Sequence, residues 1–380
     1  MARIVGFGSD LTDVAQLRRM ASFHDLGHHV VSVTSRKGAI PETDWLNIDL
    51  GEIAQHGLLR RGKLALAAAL RDKRLPALVR SADLIVARNL DMLALAAILR
   101  ARCHAAVPLA YEVLDIHPLL EGKGPVSKTA RLVERRLMKA ADVLWVSSPG
   151  FVDGYFHPVQ GYTGQIHLIE NKLVLPPQTR RPGPGALAPT KRPIRLGWVG
   201  AIRCRPSFEL LLDTVTQFTG EVELHIHGQI HDHVLPDFHQ RIAGLSHVHF
   251  HGPYSYPDGL MGCYADCDVV WAQDLWQAHG NSHQLLPNRI YEAAWHNCPV
   301  IAVETTQTGR KIRETGQGWT IPTATPAALA SLMRTLTAEV LQQKRCAIAE
   351  LDEGLFRQQA RDVERLLMSA GVVSGDTEQR

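Results

Sequence analysis

The sequence predicts a two-domain α/β protein built on parallel sheets, and three observations predict it. Short apolar runs alternate with segments of helical period along the chain. At 380 residues, it is longer than one core usually organises. Between 176 and 193, PPQTRRPGPGALAPTKRP breaks the rhythm with six prolines and two glycines, the texture of a linker. The expected division is therefore a first domain at 1–175, a linker at 176–193 and a second domain at 194–380, whose last helix packs back on the first.

The first half reads as strands at 3–7 (RIVGF), 29–34 (HVVSVT), 83–87 (DLIVA), 108–113 (PLAYEV), 142–147 (DVLWVS) and 165–170 (QIHLIE). Helical patterns at 10–26, 53–75, 90–102 and 127–141 separate them. After the linker come IRLGWVG (194–200), VELHIHG (222–228), HVHFHG (247–252), DVVWAQ (268–273) and PVIAV (299–303). Two such halves imply a cleft, and sheets of this kind bind ligands at the carboxyl ends of their strands.

Composition narrows the class. With 45% hydrophobic and 21% charged residues, the chain reads as a soluble globular protein. Met1-Ala-Arg runs straight into an apolar strand without a cleavage site, and no apolar run reaches about 18 residues, so neither signal peptide nor membrane span is expected. Cysteines 103, 204, 263, 267, 298 and 346 contain no CxxC pair and suit a reducing cytoplasm. Charge is uneven, at +5 over 1–175, +4 over 176–193 and −6 beyond. Two basic amphipathic stretches stand out. One, at 56–80, holds Arg60, Arg61, Lys63, Arg71, Lys73, Arg74 and Arg80; the other, at 128–142, holds Lys128, Arg131, Arg135, Arg136 and Lys139. Either is a surface for anionic headgroups or a solvated helix face. Nucleic acid is not an expected partner, because the net charge is only +3 and no recognition motif accompanies the basic runs.

The most informative stretch is RIYEAAWHNCPVIA at 289–302, which sets the carboxylate of Glu292 on a helix leading into a buried strand. Asn288, Gln284 and Asn281 precede it at spacings of four, four and three, one polar face of a helix. Pro287 argues instead for a loop holding Gly280, Asn281 and Ser282, with the regular helix starting near the proline. Leu286, Ile290, Ala293 and Ala294 form the apolar side, and Pro299 ends the helix.

The segments GFGSDL, DLGHHVVSVT (25–34), YEVLDIHP (111–118), ENK (170–172), LGWVGAIRCRPS (196–207), HGPYSYPDGLMGCYADCDVVWA (251–272) and GNSHQLLPNRIYEAAWHNCPVIA (280–302) together resemble the family-four glycosyltransferases. The resemblance runs to about residue 325, is strongest in the last two segments, and is closest to members of bacterial exopolysaccharide assembly. It implies the GT-B fold, two Rossmann-like domains facing across a cleft. It also implies transfer of a sugar from a nucleotide sugar to an acceptor hydroxyl, here a polyprenyl-diphosphate-linked saccharide at the inner membrane face. No cofactor and no metal beyond the nucleotide sugar are expected. Two alternatives share the fold: a nucleotide-sugar epimerase or hydrolase, and a non-catalytic nucleotide-sugar-binding assembly protein.

Site residues follow from residues and resemblance together. Where the strand at 194–200 ends, Gly200 lets a diphosphate approach the backbone, and Arg203 and Arg205 follow at once to neutralise it. The resemblance sets Gly228 near the nucleobase and Glu292 on the ribose. It also implies a glutamate eight positions before Glu292; Gln284 stands there instead, so a carboxylate stabilising an oxocarbenium-like centre is missing. Retention of configuration, implied by the family, thus has no carboxylate behind it. Asp115 is expected to accept the acceptor's proton, with His117 donating to developing charge or positioning the sugar. Gly8, in the first strand-to-helix loop, is a further contact; the GxGxxG pattern is broken by Leu11, which argues against a dinucleotide. Asp266-Cys267-Asp268 has the DxD spacing of metal-binding glycosyltransferases of another fold, yet it bridges a helix end and a strand. Histidines 225, 227, 231, 233, 247, 249 and 251 look like a zinc cluster, yet 225 and 227, and 247, 249 and 251, alternate along strands, so a polar sheet face explains them without metal.

Overall fold

A computed structural model describes residues 1–38, 41–52, 67, 71–185, 193–278 and 280–372. The chain forms two compact units, Met1–Glu170 joined by the C-terminal segment from Gln359, and Asn171–Gln358.

The first unit carries seven strands, β1 (Arg3–Gly8), β2 (His29–Arg36), β3 (Leu46–Glu52), β4 (Leu84–Arg88), β5 (Leu109–Val113), β6 (Val143–Val146) and β7 (Ile166–Leu168). They pair in parallel in the order β3-β2-β1-β4-β5-β6-β7. Helices cover both faces, so β4, β5 and β6 are buried along their whole length. The order reverses between β1 and β4, the switch point at which such sheets open their loops to ligands. The second unit repeats the plan with β8 (Ile194–Val199), β9 (Val222–His227), β10 (Val248–Gly252), β11 (Val269–Trp271), β12 (Val300–Val303) and β13 (Gly318–Ile321). Their order is β10-β9-β8-β11-β12-β13, again all parallel, with its switch point between β8 and β11.

Two strands escape the sequence reading. Both β3 and β13 are edge strands, and each buries a single residue, Ile48 and Ile321, so neither presents the continuous apolar run that marks a central parallel strand. The expected helix at 53–75, and with it Arg60, Arg61 and Lys63 of the basic stretch, lies largely outside the described residues. Of the basic stretch, Arg71, Lys73, Arg74 and Arg80 are described, the last two on the helix Arg74–Ser81, which buries Leu75 and Val79.

The chain changes units after Glu170 rather than at 175. Leu173 exchanges backbone hydrogen bonds with Phe356 and Gln358 at 2.9 and 2.8 Å, which ties this segment to the second unit. Residues 176–185 of the expected linker lie on that unit too. The Arg181 guanidinium donates to the carbonyls of Ala294, Ile348 and Leu351 and sits over the Phe356 ring. The last helix, Ala360–Ser369, packs Val363, Leu366 and Leu367 into one core with Ile4, Phe23, Leu84 and Trp145 of the first unit. Its amphipathic spacing of three and four explains which face turns inward, and Trp145 Nε1 donates to Ser369 Oγ at 3.0 Å.

Candidate functional site

At the carboxyl end of the second sheet, Gly200 directly follows β8 and Gly228 directly follows β9. Both have left-handed backbone, φ 117° and 145°. Gly200 N–H donates to the His227 carbonyl at 2.9 Å, Ile202 N–H to Gln229 at 2.9 Å and Gly228 N–H to Gly252 at 2.8 Å, so the loops after β8, β9 and β10 are laced together. A Cβ on Gly228 would fall 1.7 Å from the Gly200 carbonyl oxygen. Only glycine permits that approach, and it leaves bare backbone at the end of the central strand.

The helix Arg289–Trp295 supplies side chains to this region. A Cβ on Gly200 would lie 3.6 Å from Arg289 Nη2, which places a half-buried guanidinium beside the bare backbone. Sequence reading passes over Arg289, although its spacing of three from Glu292 on one helix was the available signal. Glu292 is buried and accepts a hydrogen bond from Tyr264 Oη at 3.2 Å. Burial, and then the charge of Glu292, push the Tyr264 hydroxyl well above its usual range, so it stays a donor to the carboxylate.

The two arginines expected on phosphate part company. Arg203 is exposed, its guanidinium 5.8 Å from the centre of the Trp276 ring, which is itself 42% exposed. Arg205 heads the helix Arg205–Thr216, where its guanidinium donates to Asp237, Glu209 and the Val234 carbonyl. Two carboxylates and a carbonyl already saturate it, so Arg205 fits a structural role and not a phosphate.

Nor do the polar residues before Glu292 share one helix face. Asn281–Gln284 is a separate short helix, and Leu285 to Pro287 interrupt the chain before Arg289, since proline cannot donate within a helix interior. Asn281 is buried and Gln284 half-buried. Ser282 Oγ donates to Asp274 at 3.0 Å and accepts from Gln277 N–H at 2.9 Å, which makes it a latch of its own loop. Asn288 Oδ1 accepts from Asn171 Nδ2 at 2.6 Å, so the ENK segment and this helix meet. The DxD spacing dissolves: Cys267 is buried, and Asp268 accepts the Arg195 N–H at 2.9 Å and its guanidinium at 3.0 Å.

In the first unit, Asp115 and His117 are exposed beyond the carboxyl end of β5. His117 Nδ1 accepts the Leu119 N–H at 3.1 Å, so the neutral ring carries its proton on Nε2. Behind them, Glu112 is buried between Arg19 Nε at 2.8 Å and Arg88 Nη2 at 2.7 Å. Burial alone would raise its pKa, yet the two guanidinium groups together hold it below the usual carboxylate value. Gly8 has a packing reason: a Cβ there would meet the Gln16 amide at 2.5 Å.

Two family models match the chain, a "Glycosyl transferase 4-like domain" over residues 14–172 and "Glycosyl transferases group 1" over 193–339. Succinoglycan biosynthesis protein ExoL of Rhizobium meliloti (strain 1021) is 32% identical over 373 residues, 97% of this chain and 93% of the relative. Among solved structures, sucrose-phosphate synthase from Thermosynechococcus elongatus superposes with a TM-score of 0.74 at 15% identity, covering 98% of this chain and 99% of the other. Anabaena Alr3699/HepE, solved with UDP and glucose, follows with a TM-score of 0.71 at 14% identity, covering 97% and 100%. At those identities the two structures establish the GT-B fold, in which each parallel-sheet unit described above is one of the two α/β domains.

Proposed function

This chain belongs to the group 1 glycosyl transferases, and on that premise we propose that it moves a sugar from a nucleoside-diphosphate donor to a hydroxyl of a lipid-linked saccharide in exopolysaccharide assembly. The observation that carries the reading is the bare backbone at Gly200 and Gly228 beside the Arg289 guanidinium, with Glu292 one helical turn on. Such a surface suits a diphosphate followed by a ribose: glycines admit the phosphates, guanidinium groups match their charge, and a buried carboxylate accepts sugar hydroxyls.

In the proposed reaction the donor's bond between the anomeric carbon and the diphosphate oxygen breaks, and Arg289 with Arg203 offsets the charge that develops on the leaving group. The acceptor oxygen bonds to the anomeric carbon and gives its proton to Asp115, while the Nε2–H of His117 positions a sugar oxygen. No metal and no cofactor take part. ExoL, named for succinoglycan biosynthesis, supports exopolysaccharide as the product class, and HepE with UDP and glucose supports a nucleotide-sugar donor.

A lipid-linked acceptor draws support from the helix Pro125–Met138. Lys128, Arg136 and Lys139 are exposed beside Val126, Leu132 and Val133, which are 65%, 44% and 45% exposed. Basic and apolar groups side by side suit an anionic bilayer surface, at about 1 kcal/mol per basic residue. Arg131 and Arg135 instead hold backbone carbonyls of Leu120, Gly122, Val159 and Gln160. No helix of the described residues is long and apolar enough to cross a membrane. The proposed location is therefore peripheral, at the cytoplasmic face of the plasma membrane.

The test incubates the protein with a panel of nucleotide sugars and a lipid extract. Sugar transferred into the lipid fraction is the expected result. Release of free sugar or an epimer alone would replace transfer with hydrolysis or epimerisation, and no turnover with intact donor binding would leave a binding protein. Asp115→Asn should lower turnover while donor affinity stays within a few-fold, as for a group acting in the transition state.

A further inference from the structure

Four histidines of the second sheet, none of them assigned to the donor, converge at its β9–β10 edge. His225 and His227 alternate on β9, and His249 stands opposite His225 on β10. A bulge between Phe250 and Gly252 throws His251 out of register, so its ring enters the space between those of His225 and His227. The His227 and His251 rings stack at 4.1 Å and 3°. His225 Nδ1 lies 3.1 Å from His251 Nε2. One ring nitrogen each from His225, His227 and His251 falls within 4.8 Å of the others.

Two carboxylates flank the trio. Glu223 Oε2 sits 3.3 Å from His225 Nε2. Asp266 Oδ2 sits 3.6 Å from His227 Nε2 and 4.0 Å from His251 Nδ1. With Glu223 accepting the Nε2 proton, the neutral His225 ring turns its Nδ1 lone pair toward His251, the arrangement by which a carboxylate orients a metal-binding imidazole. His227 Nε2 is buried and makes no hydrogen bond, which a plain polar sheet face does not explain.

We propose that His225, His227 and His251 bind one divalent transition-metal ion of zinc-like preference through one ring nitrogen each, with the fourth position left to water and Glu223 orienting His225. Ligands bonded at about 2.0–2.1 Å to a tetrahedral ion stand roughly 3.4 Å apart, and the 3.1 Å between His225 Nδ1 and His251 Nε2 is near that spacing. The ion clamps edge strand β10 to β9. Its role is structural, and it is independent of the donor reading.

The test uses the full chain, stripped with EDTA and exchanged into chelator-free buffer, then titrated with Zn2+ by calorimetry and with Co2+ by visible absorption. One ion per chain, the absorption of tetrahedral Co2+ and a rise in Tm with Zn2+ are expected. His251→Ala changes a partly exposed edge residue; it should weaken Zn2+ binding by more than ~100-fold and abolish the Co2+ band. Glu223→Gln should cost about 10–100-fold, and circular dichroism checks that both variants fold. His233→Ala, outside the set, should bind as the parent does. Absence of stoichiometric binding by the parent overturns the proposal, as does unchanged binding in His251→Ala or an equal loss in His233→Ala.

Discussion

A Cβ on Gly228 would sit 1.7 Å from the carbonyl oxygen of Gly200, so the ends of β9 and β8 meet more closely than any side chain permits. Gly228→Ala must push these loops apart and hold alanine at φ 145°. Strain of this kind costs about 1–3 kcal/mol. The expected result is a lower Tm together with weaker nucleotide binding. Gly252→Ala has positive φ, 80°, but open space around its Cβ, so it should lose only about 1–2 kcal/mol of stability and keep nucleotide affinity. Equal binding losses in the two variants would separate the Gly200–Gly228 contact from the ligand.

Arg289 and Arg205 should behave as opposites. Arg289→Ala is expected to weaken binding of a nucleoside diphosphate by about 1.5–3 kcal/mol and to leave the nucleoside nearly unaffected, because only the diphosphate carries charge. Arg205→Ala removes bonds to Asp237, Glu209 and Val234 and should lower stability without that selectivity. Calorimetry with the two ligands, beside thermal melts, distinguishes these outcomes.

Glu292→Ala should weaken nucleotide binding roughly 10- to 150-fold, the equivalent of a charged hydrogen bond. The fold should survive, since Tyr264 remains enclosed in the same core. Unchanged affinity for every nucleotide tested would remove the ribose role.

Glu112→Gln probes the core of the first unit. Removing the charge takes from the buried Arg19 and Arg88 the carboxylate that lies between them, Asp13 staying 3.8 Å from Arg88, at a cost of about 3–5 kcal/mol at pH 7. Because the folded pKa of Glu112 is held below its unfolded value of about 4.3, its stabilisation is complete above that pH and is lost as pH falls through the folded value. Urea unfolding from pH 7 to 3 should therefore show a steeper loss in the parent than in the variant. Parallel pH profiles would contradict the coupling.

Much was legible without coordinates because it depends on neighbours in sequence. Apolar runs such as VLWV at 143–146 mark strands buried on both faces, and the i, i+3, i+4 spacing of Val363, Leu366 and Leu367 marks the inward face of the last helix. Motif order sufficed to suggest the family, and with it Gly200, Gly228 and Glu292 as candidates. The edge strands β3 and β13 were not legible, because one covered face leaves a weak signal.

What tertiary structure alone decided is which residues meet. Gly200 and Gly228 directly follow adjacent strands whose end-to-end contact follows from sheet order, not from any local pattern. Proximity in sequence made Arg203 and Arg205 look alike, yet Asp237 claims one of them from 32 residues away while Arg289 arrives beside Gly200 from another helix. The histidines show the same division. Alternation placed His225 and His227 on one face, but a bulge in the neighbouring strand brought His251 between them. Side-chain direction is set by local backbone geometry; convergence is set by strand order and register, which only the folded chain settles.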